Sequence, residues 1–188
     1  MKKILLPIFT ILIATLIIAL LPTEAEAGIY EDTIRIHILA NSDSEADQKI
    51  KLSVRDRLLS EYSDIFSGST DIRDAEATLR QSLSEIEKSV SEWVFEYGYT
   101  ATAKLEVEWF DTRDYDSFSL PAGYYLSLII RLGEAEGKNW WCVMYPPMCL
   151  DAATESAAYT PAENNLIIGK YSVKFKILEL ISKTVSKK

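Results

Sequence analysis

Histidine is almost missing from this chain: His37 is the single one in 188 residues, and Cys142 and Cys149 are the only cysteines. A triad or dyad hydrolase would therefore have to move its protons through His37. A zinc site would have to combine His37, both cysteines and a carboxylate, without the close cysteine spacing such sites use. No Walker loop, GxGxxG or HExxH pattern occurs. Positive charge is also scarce, with 20 Lys and Arg against 28 Asp and Glu, a net charge of −8. That balance repels polyanions, and no basic stripe or stacking motif offsets it, so nucleic acid is a poor partner. None of the many carboxylates sits in an apolar setting that would raise its pKa, so they read as a solvated face.

Long apolar runs are limited to one, at the start. Lys2 and Lys3 precede Ile4 to Leu21, which is apolar apart from Pro7, Thr10 and Thr15. Pro22 ends the run, and Ala25-Glu26-Ala27 offers small residues where a signal peptidase reads them. Residues 1–27 read as a secretory signal peptide, cut between Ala27 and Gly28. An uncleaved anchor is the alternative, since the run is near the ~18-residue lower bound for spanning. The remaining 28–188 suit a single soluble domain with a real core.

Along that domain, residues 33–40, TIRIHILA, alternate: Ile34, Ile36 and Ile38 share one face of a strand, Arg35 and His37 the other. NSDSEAD then supplies capping side chains, Ser42 with Glu45 or Ser44 with Asp47. A helix follows, with Ile50, Val54, Leu58, Tyr62 and Ile65 on one face, and Ser67-Gly68-Ser69-Thr70 breaks it. A second helix, about Asp71 to Tyr97, carries Ile72, Ala75, Leu79, Leu83, Ile86, Val90, Trp93 and Tyr97 in steps of three and four. Two helices joined so closely should pack antiparallel. Residues 103–109 alternate again, placing Leu105, Val107 and Trp109 inward, and Asp111 to Ser119 is a polar connection. After a Leu120-Pro121-Ala122-Gly123 turn, YYLSLIIRL at 124–132 is apolar enough to be a central strand. Residues 151–169 read as a long loop, and Val173 to Val185 as a terminal helix with Phe175, Leu178, Ile181 and Val185 in a stripe. The class is α+β: an N-terminal strand, an antiparallel helix pair, a mainly antiparallel sheet and a C-terminal helix.

The densest chemistry lies in 139–150, NWWCVMYPPMCL, with both cysteines and two of the four tryptophans. As a strand, 139–145 would send Trp140 and Trp141 to opposite faces. Tyr145, Pro146, Pro147 and Met148 should leave the ladder, because neither proline donates. In an exported chain Cys142 and Cys149 suggest a disulfide. Closing so short a loop contributes about 2.5 kcal/mol on the chain-entropy estimate; two buried thiols are the alternative. A rigid apolar loop loses little entropy on binding, and Trp and Tyr are common hot spots. The same side chains could equally fold back and plug one end of the core. His37 likewise reads first as a hydrogen-bonded strand residue, and an extracytoplasmic hydrolase using it is the rival functional reading.

Two blocks carry a family resemblance. IRIHILANSDSEADQKIKLSVRDRLL, 34–59, and SLPAGYYLSLIIRLGEAEGKNWWCVMYPPMCL, 119–150, resemble the signatures of stage II sporulation protein R, and VKFKILELI, 173–181, is similar to its usual end. The resemblance implies a signal rather than an enzyme, with no cofactor and no metal. It implies secretion from the forespore into the space between forespore and mother cell. The implied partner is a membrane-embedded aspartic protease of the mother cell, the stage II GA protein, which removes the pro-sequence of sigma-E. On this reading we expect Trp140, Trp141, Tyr145 and Met148 to contact that receptor, with the segment His37 through Asp43, including Asn41 and Ser42, as a second patch.

Intact mass of the secreted protein, with and without reduction and alkylation, checks the processing expectations. A chain beginning at Gly28 and lighter by two protons is expected; a retained leader or two alkylated thiols would contradict it.

Overall fold

The computed structural model describes residues 2–20, 24–115 and 118–148. Helix α1 spans Lys2–Leu20 and α2 spans Glu24–Glu31. Strand β1 is Ile34–Leu39, followed by α3 (Glu45–Glu61), α4 (Ser63–Ser67) and α5 (Ile72–Phe95). The remaining strands are β2 (Ala101–Phe110), β3 (Arg113–Asp114), β4 (Ser119–Leu120), β5 (Gly123–Leu132) and β6 (Asn139–Tyr145). Among the described residues no helix is long and apolar enough to cross a membrane.

The main sheet runs in the order β2-β5-β1-β6. Strands β2 and β5 pair antiparallel, as do β1 and β6, while β1 and β5 run parallel. The parallel pair requires a crossover, since parallel neighbours cannot be joined by a hairpin. Helices α3, α4 and α5 lie in the chain between β1 and the return to the sheet. The class is α+β with a mainly antiparallel sheet, as the sequence pattern implies. Strand β5 is central, as its apolar run predicts.

Alternation along β1 gives the sheet two different faces. Ile34, Ile36 and Ile38 join Val54 and Leu58 of α3 and Ala75, Leu79, Ile86, Val90 and Val94 of α5 in one core. On the other face, Ile29 of α2, Phe110, Phe118, Leu120, Tyr125, Val143 and Met148 form a second, smaller core. Helix α5 starts at Asp71, whose side chain accepts from the Asp74 amide and caps otherwise orphaned donors. It ends before Gly98, which takes φ +79°, a backbone state glycine adopts without steric cost.

Several local expectations need correction. The first helix is interrupted: α3 ends at Glu61, and Ile65 belongs to the separate short α4. Tyr97 lies beyond α5 and is exposed. Val107 does not point into the core but is 65% exposed, and Leu105 and Trp109 are half-buried. The cause is the limited reach of α5, which covers the start of β2: Glu87 accepts from the Ala103 amide at 2.9 Å and Ser91 Oγ donates to the Ala101 carbonyl at 3.2 Å. The connection after β2 is not featureless, since β3 and β4 pair as a small hairpin that sends Phe118 and Leu120 into the second core. The 151–169 loop and the 173–185 helix lie outside the described residues.

The expected cleavage bond, Ala27–Gly28, falls inside α2, and both residues are half-buried. Ile29, the next residue, is fully buried.

Leu128→Ala removes a fully buried side chain and should cost about 2–5 kcal/mol in denaturant unfolding. Val107→Ser should stay within about 0.5 kcal/mol, as exposed sites do. Comparable losses in both would contradict this assignment of faces.

Candidate functional site

The second face of the sheet gathers polar and aromatic groups around His37. The register sets His37 of β1 directly beside Trp141 of β6. Their rings stack with centroids 5.3 Å apart and planes 26° apart. The Arg113 guanidinium covers Trp141 at 3.8 Å from the ring centroid, a cation–π contact. The His37 Nδ1 atom lies 2.9 Å from Glu108 Oε1. A carboxylate accepts, so Nδ1–H is the donor. His37 is 8% exposed, and the result is a stack of Arg113, Trp141 and His37 edged by Glu108.

One strand position away, Arg35 is fully buried. Its guanidinium approaches the Phe110 ring centroid at 4.0 Å and that of Tyr125 at 5.0 Å, and Nη2 donates to Tyr115 Oη at 2.8 Å.

The aromatic stretch is not gathered into one surface. Trp140 and Tyr145 pack with the first core, Trp141 and Met148 with the second. Both tryptophans remain half-buried, with Arg55 5.5 Å from the Trp140 centroid. Tyr145 is 7% and Met148 9% exposed. Burial, first of all, pushes the Tyr145 phenol pKa upward, helped by the negative charges of Asp71, Asp32 and Asp74. Serine substitutions at Tyr145 and Met148 would therefore damage packing as well as any surface. Cys142 is buried on the helix side of the sheet, next to Ile36. It is thus on the face opposite His37, an arrangement unsuited to a Cys–His pair. Cys149 lies outside the described residues. Among the described residues no group of His, Cys, Asp and Glu is placed to hold a metal ion.

The His37 to Asp43 segment divides in the same way. Only His37 faces the aromatic stack; Asn41, Ser42 and Asp43 build a corner. Asp47, 4% exposed, receives hydrogen bonds from Ser42 Oγ at 2.5 Å, Asn41 Nδ2 at 2.9 Å and Tyr99 Oη at 2.7 Å. These donors, Ser42 first, then Asn41 and Tyr99, lower its pKa from 3.8 to about 2, against the opposing effect of burial. Its amide is bound by the N-cap Ser44 Oγ at 3.1 Å, half of the anticipated capping box. Asn41 Oδ1 accepts from the Glu134 amide at 3.0 Å and Asp43 Oδ1 from the Lys138 amide at 2.6 Å. Lys51, buried beneath, donates to Gln48 Oε1 at 2.6 Å and the Lys138 carbonyl at 2.8 Å, and burial lowers its pKa.

Sequence reasoning passed over Glu108, Arg113, Tyr99 and the charge-bearing role of Asp47. Glu108 was visible only as an alternating acid on β2, which reads as solvated until its neighbour is known.

Because Asp47 has a folded pKa below its ordinary value, it stabilises the fold above about 3.8, and that contribution is lost as pH falls from about 3.8 toward 2. Asp47→Asn should lower the thermal midpoint at pH 7 by several degrees and flatten its fall between pH 4 and 2. An acid limb unchanged from wild type would remove Asp47 from this role.

Comparison with known proteins bears on the whole of this domain. A family model described as Stage II sporulation protein R matches residues 30–155, from the end of α2 through β6. The stage II sporulation protein R of Bacillus subtilis (strain 168) is 36% identical over 121 residues, covering 63% of this chain and 54% of that protein. The match thus spans about half the length of the curated relative. No solved structure matches. With the family's pattern running through both sheet faces and the helices on them, the chain belongs to the stage II sporulation protein R family.

Proposed function

We propose that this chain is a secreted signal of endospore formation, made in the forespore and released into the space between forespore and mother cell. There it would activate the mother cell's membrane-embedded aspartic protease, the stage II GA protein, which removes the pro-sequence of sigma-E. The observation that carries this reading is family membership across residues 30–155, together with an N-terminal stretch that has the order of a secretory signal. The catalytic step would belong to the receptor. One feature disfavours a Cys–His hydrolase: Cys142 lies on the face of the sheet opposite His37.

The surface offered to the receptor would centre on the half-buried Trp141 with Arg113 above it, and on Trp140 at the other face. Tyr145 and Met148 would act from beneath, as packing that fixes these rings. A bridge from Cys142 to Cys149 would hold the end of β6 in the same way. Activation follows if this ligand binds the active arrangement of the protease better than the inactive one.

Capture of the protease from detergent-solubilised membranes by the secreted chain tests the proposal. Wild-type chain should retain it. Trp141→Ala and Arg113→Ala should each weaken capture, Trp141→Ala by roughly tenfold or more as a hot spot would, with thermal midpoints recorded alongside. Absence of capture by wild type would sink the receptor assignment, and undiminished capture by both folded variants would move the contact elsewhere.

A further inference from the structure

Arginine is almost never fully buried unless its charge is paired, yet Arg35 is 0% exposed at the interior strand β1. Among the described residues its hydrogen bond is neutral, Nη2 to Tyr115 Oη at 2.8 Å. Two aromatic rings offer cation–π attraction, which is smaller than the cost of taking a guanidinium out of water. Among the described residues, Nε and Nη1 have no hydrogen-bond partner. A guanidinium carries five N–H donors, and the three on Nε and Nη1 are unused.

The surroundings share this deficit. Ser127 is the β5 residue in register with Arg35, and its buried Oγ has no partner among the described residues. His37 follows two residues along the same face of β1, about 7 Å away at strand spacing. Its buried Nε2 is also unpartnered among the described residues. Since Nδ1 donates to Glu108, the neutral ring presents Nε2 as an acceptor. Glu108 is engaged by His37, and no ion pair joins an acid to Arg35 among the described residues.

We propose that Arg35, Ser127 and His37 form a binding site for a peptide carboxylate. Arg35 takes the carboxylate through its free N–H groups, Ser127 Oγ–H adds a donor, and His37 Nε2 accepts an amide N–H of the same peptide. A monoanion balances the single unpaired guanidinium. The need for an N–H donor roughly one strand step beyond the carboxylate favours a peptide over a free acid. The approach is from the Tyr115 side, where the phenol over Arg35 is only half-buried.

Thermal unfolding of the full chain tests this with two probes at equal ionic strength in chloride. One is sodium acetate; the other is an amidated, N-acetylated pentapeptide, Ala-Ala-Asp-Ala-Ala. The peptide should raise the midpoint by about 3 °C at ten times its dissociation constant, and acetate should act more weakly. Arg35→Met should abolish the response while folding at least as well as wild type without ligand, because an unpaired buried charge has been replaced by an apolar chain of similar length. If that variant fails to fold, the wild-type Arg35 Nε–H resonance gives the same answer, since it must move on peptide titration. No response in wild type, an equal response in Arg35→Met, or a static Nε–H resonance overturns the site. A response to acetate as large as to the peptide overturns the peptide assignment.

Discussion

The carboxylate of Asp47 is the contact on which the rest of this domain is hung. It gathers Ser42 and Asn41 from the loop after β1 and Tyr99 from the approach to β2. The same loop clasps the turn between β5 and β6 through the Glu134, Glu136, Gly137 and Lys138 amides. Three crossings of the chain are thereby fixed to the N-terminus of α3. The fit is close: a Cβ at Gly137 would overlap the Ser42 carbonyl oxygen, and one at Gly133, itself at φ +56°, would overlap Asn41 Oδ1. Charged hydrogen bonds of this kind are about twice as strong as neutral ones, and here they set the register of β1 against both neighbours.

With β1 so fixed, its alternation decides what each face can do. The isoleucines commit one face to the helices and to a dry core. Arg35 and His37 commit the other to a polar and aromatic surface that needs partners. Most of that need is met by Glu108, Trp141, Tyr115 and the rings of Phe110 and Tyr125. The unmet remainder, at Arg35, Ser127 and His37, is where binding would gain most. A buried donor without an acceptor is costly, and a ligand that supplies the acceptor recovers that cost.

Much of the frame was legible. Helix α5 announced itself through the Leu79, Ile86 and Val90 stripe and the Asp71 cap, and β1 and β5 through alternation and an unbroken apolar run. What was not legible depends on the reach of one element over another. Val107 alternates correctly, but α5 stops short of it. Trp140 and Trp141 do face opposite ways, yet Tyr145 at the end of β6 packs in the first core and Met148, three residues on, in the second. Asn41, Ser42 and Asp43 read as a surface patch because their partners, Asp47 for Asn41 and Ser42 and the Lys138 amide for Asp43, are not evident from spacing. Glu108 and Arg113 gained meaning only from a register that no local pattern specifies.

The account's central claim is that this domain is a ligand whose effect is exerted through another protein's active site. The most direct measurement is processing of pro-sigma-E in a sporulating strain deleted for its own family member and supplied with this chain under a forespore promoter. The account predicts that the mature form of sigma-E appears in the mother cell, and that it fails to appear when the receptor protease is absent. Secretion of folded wild-type chain with no mature sigma-E, or processing that persists without the protease, would contradict it.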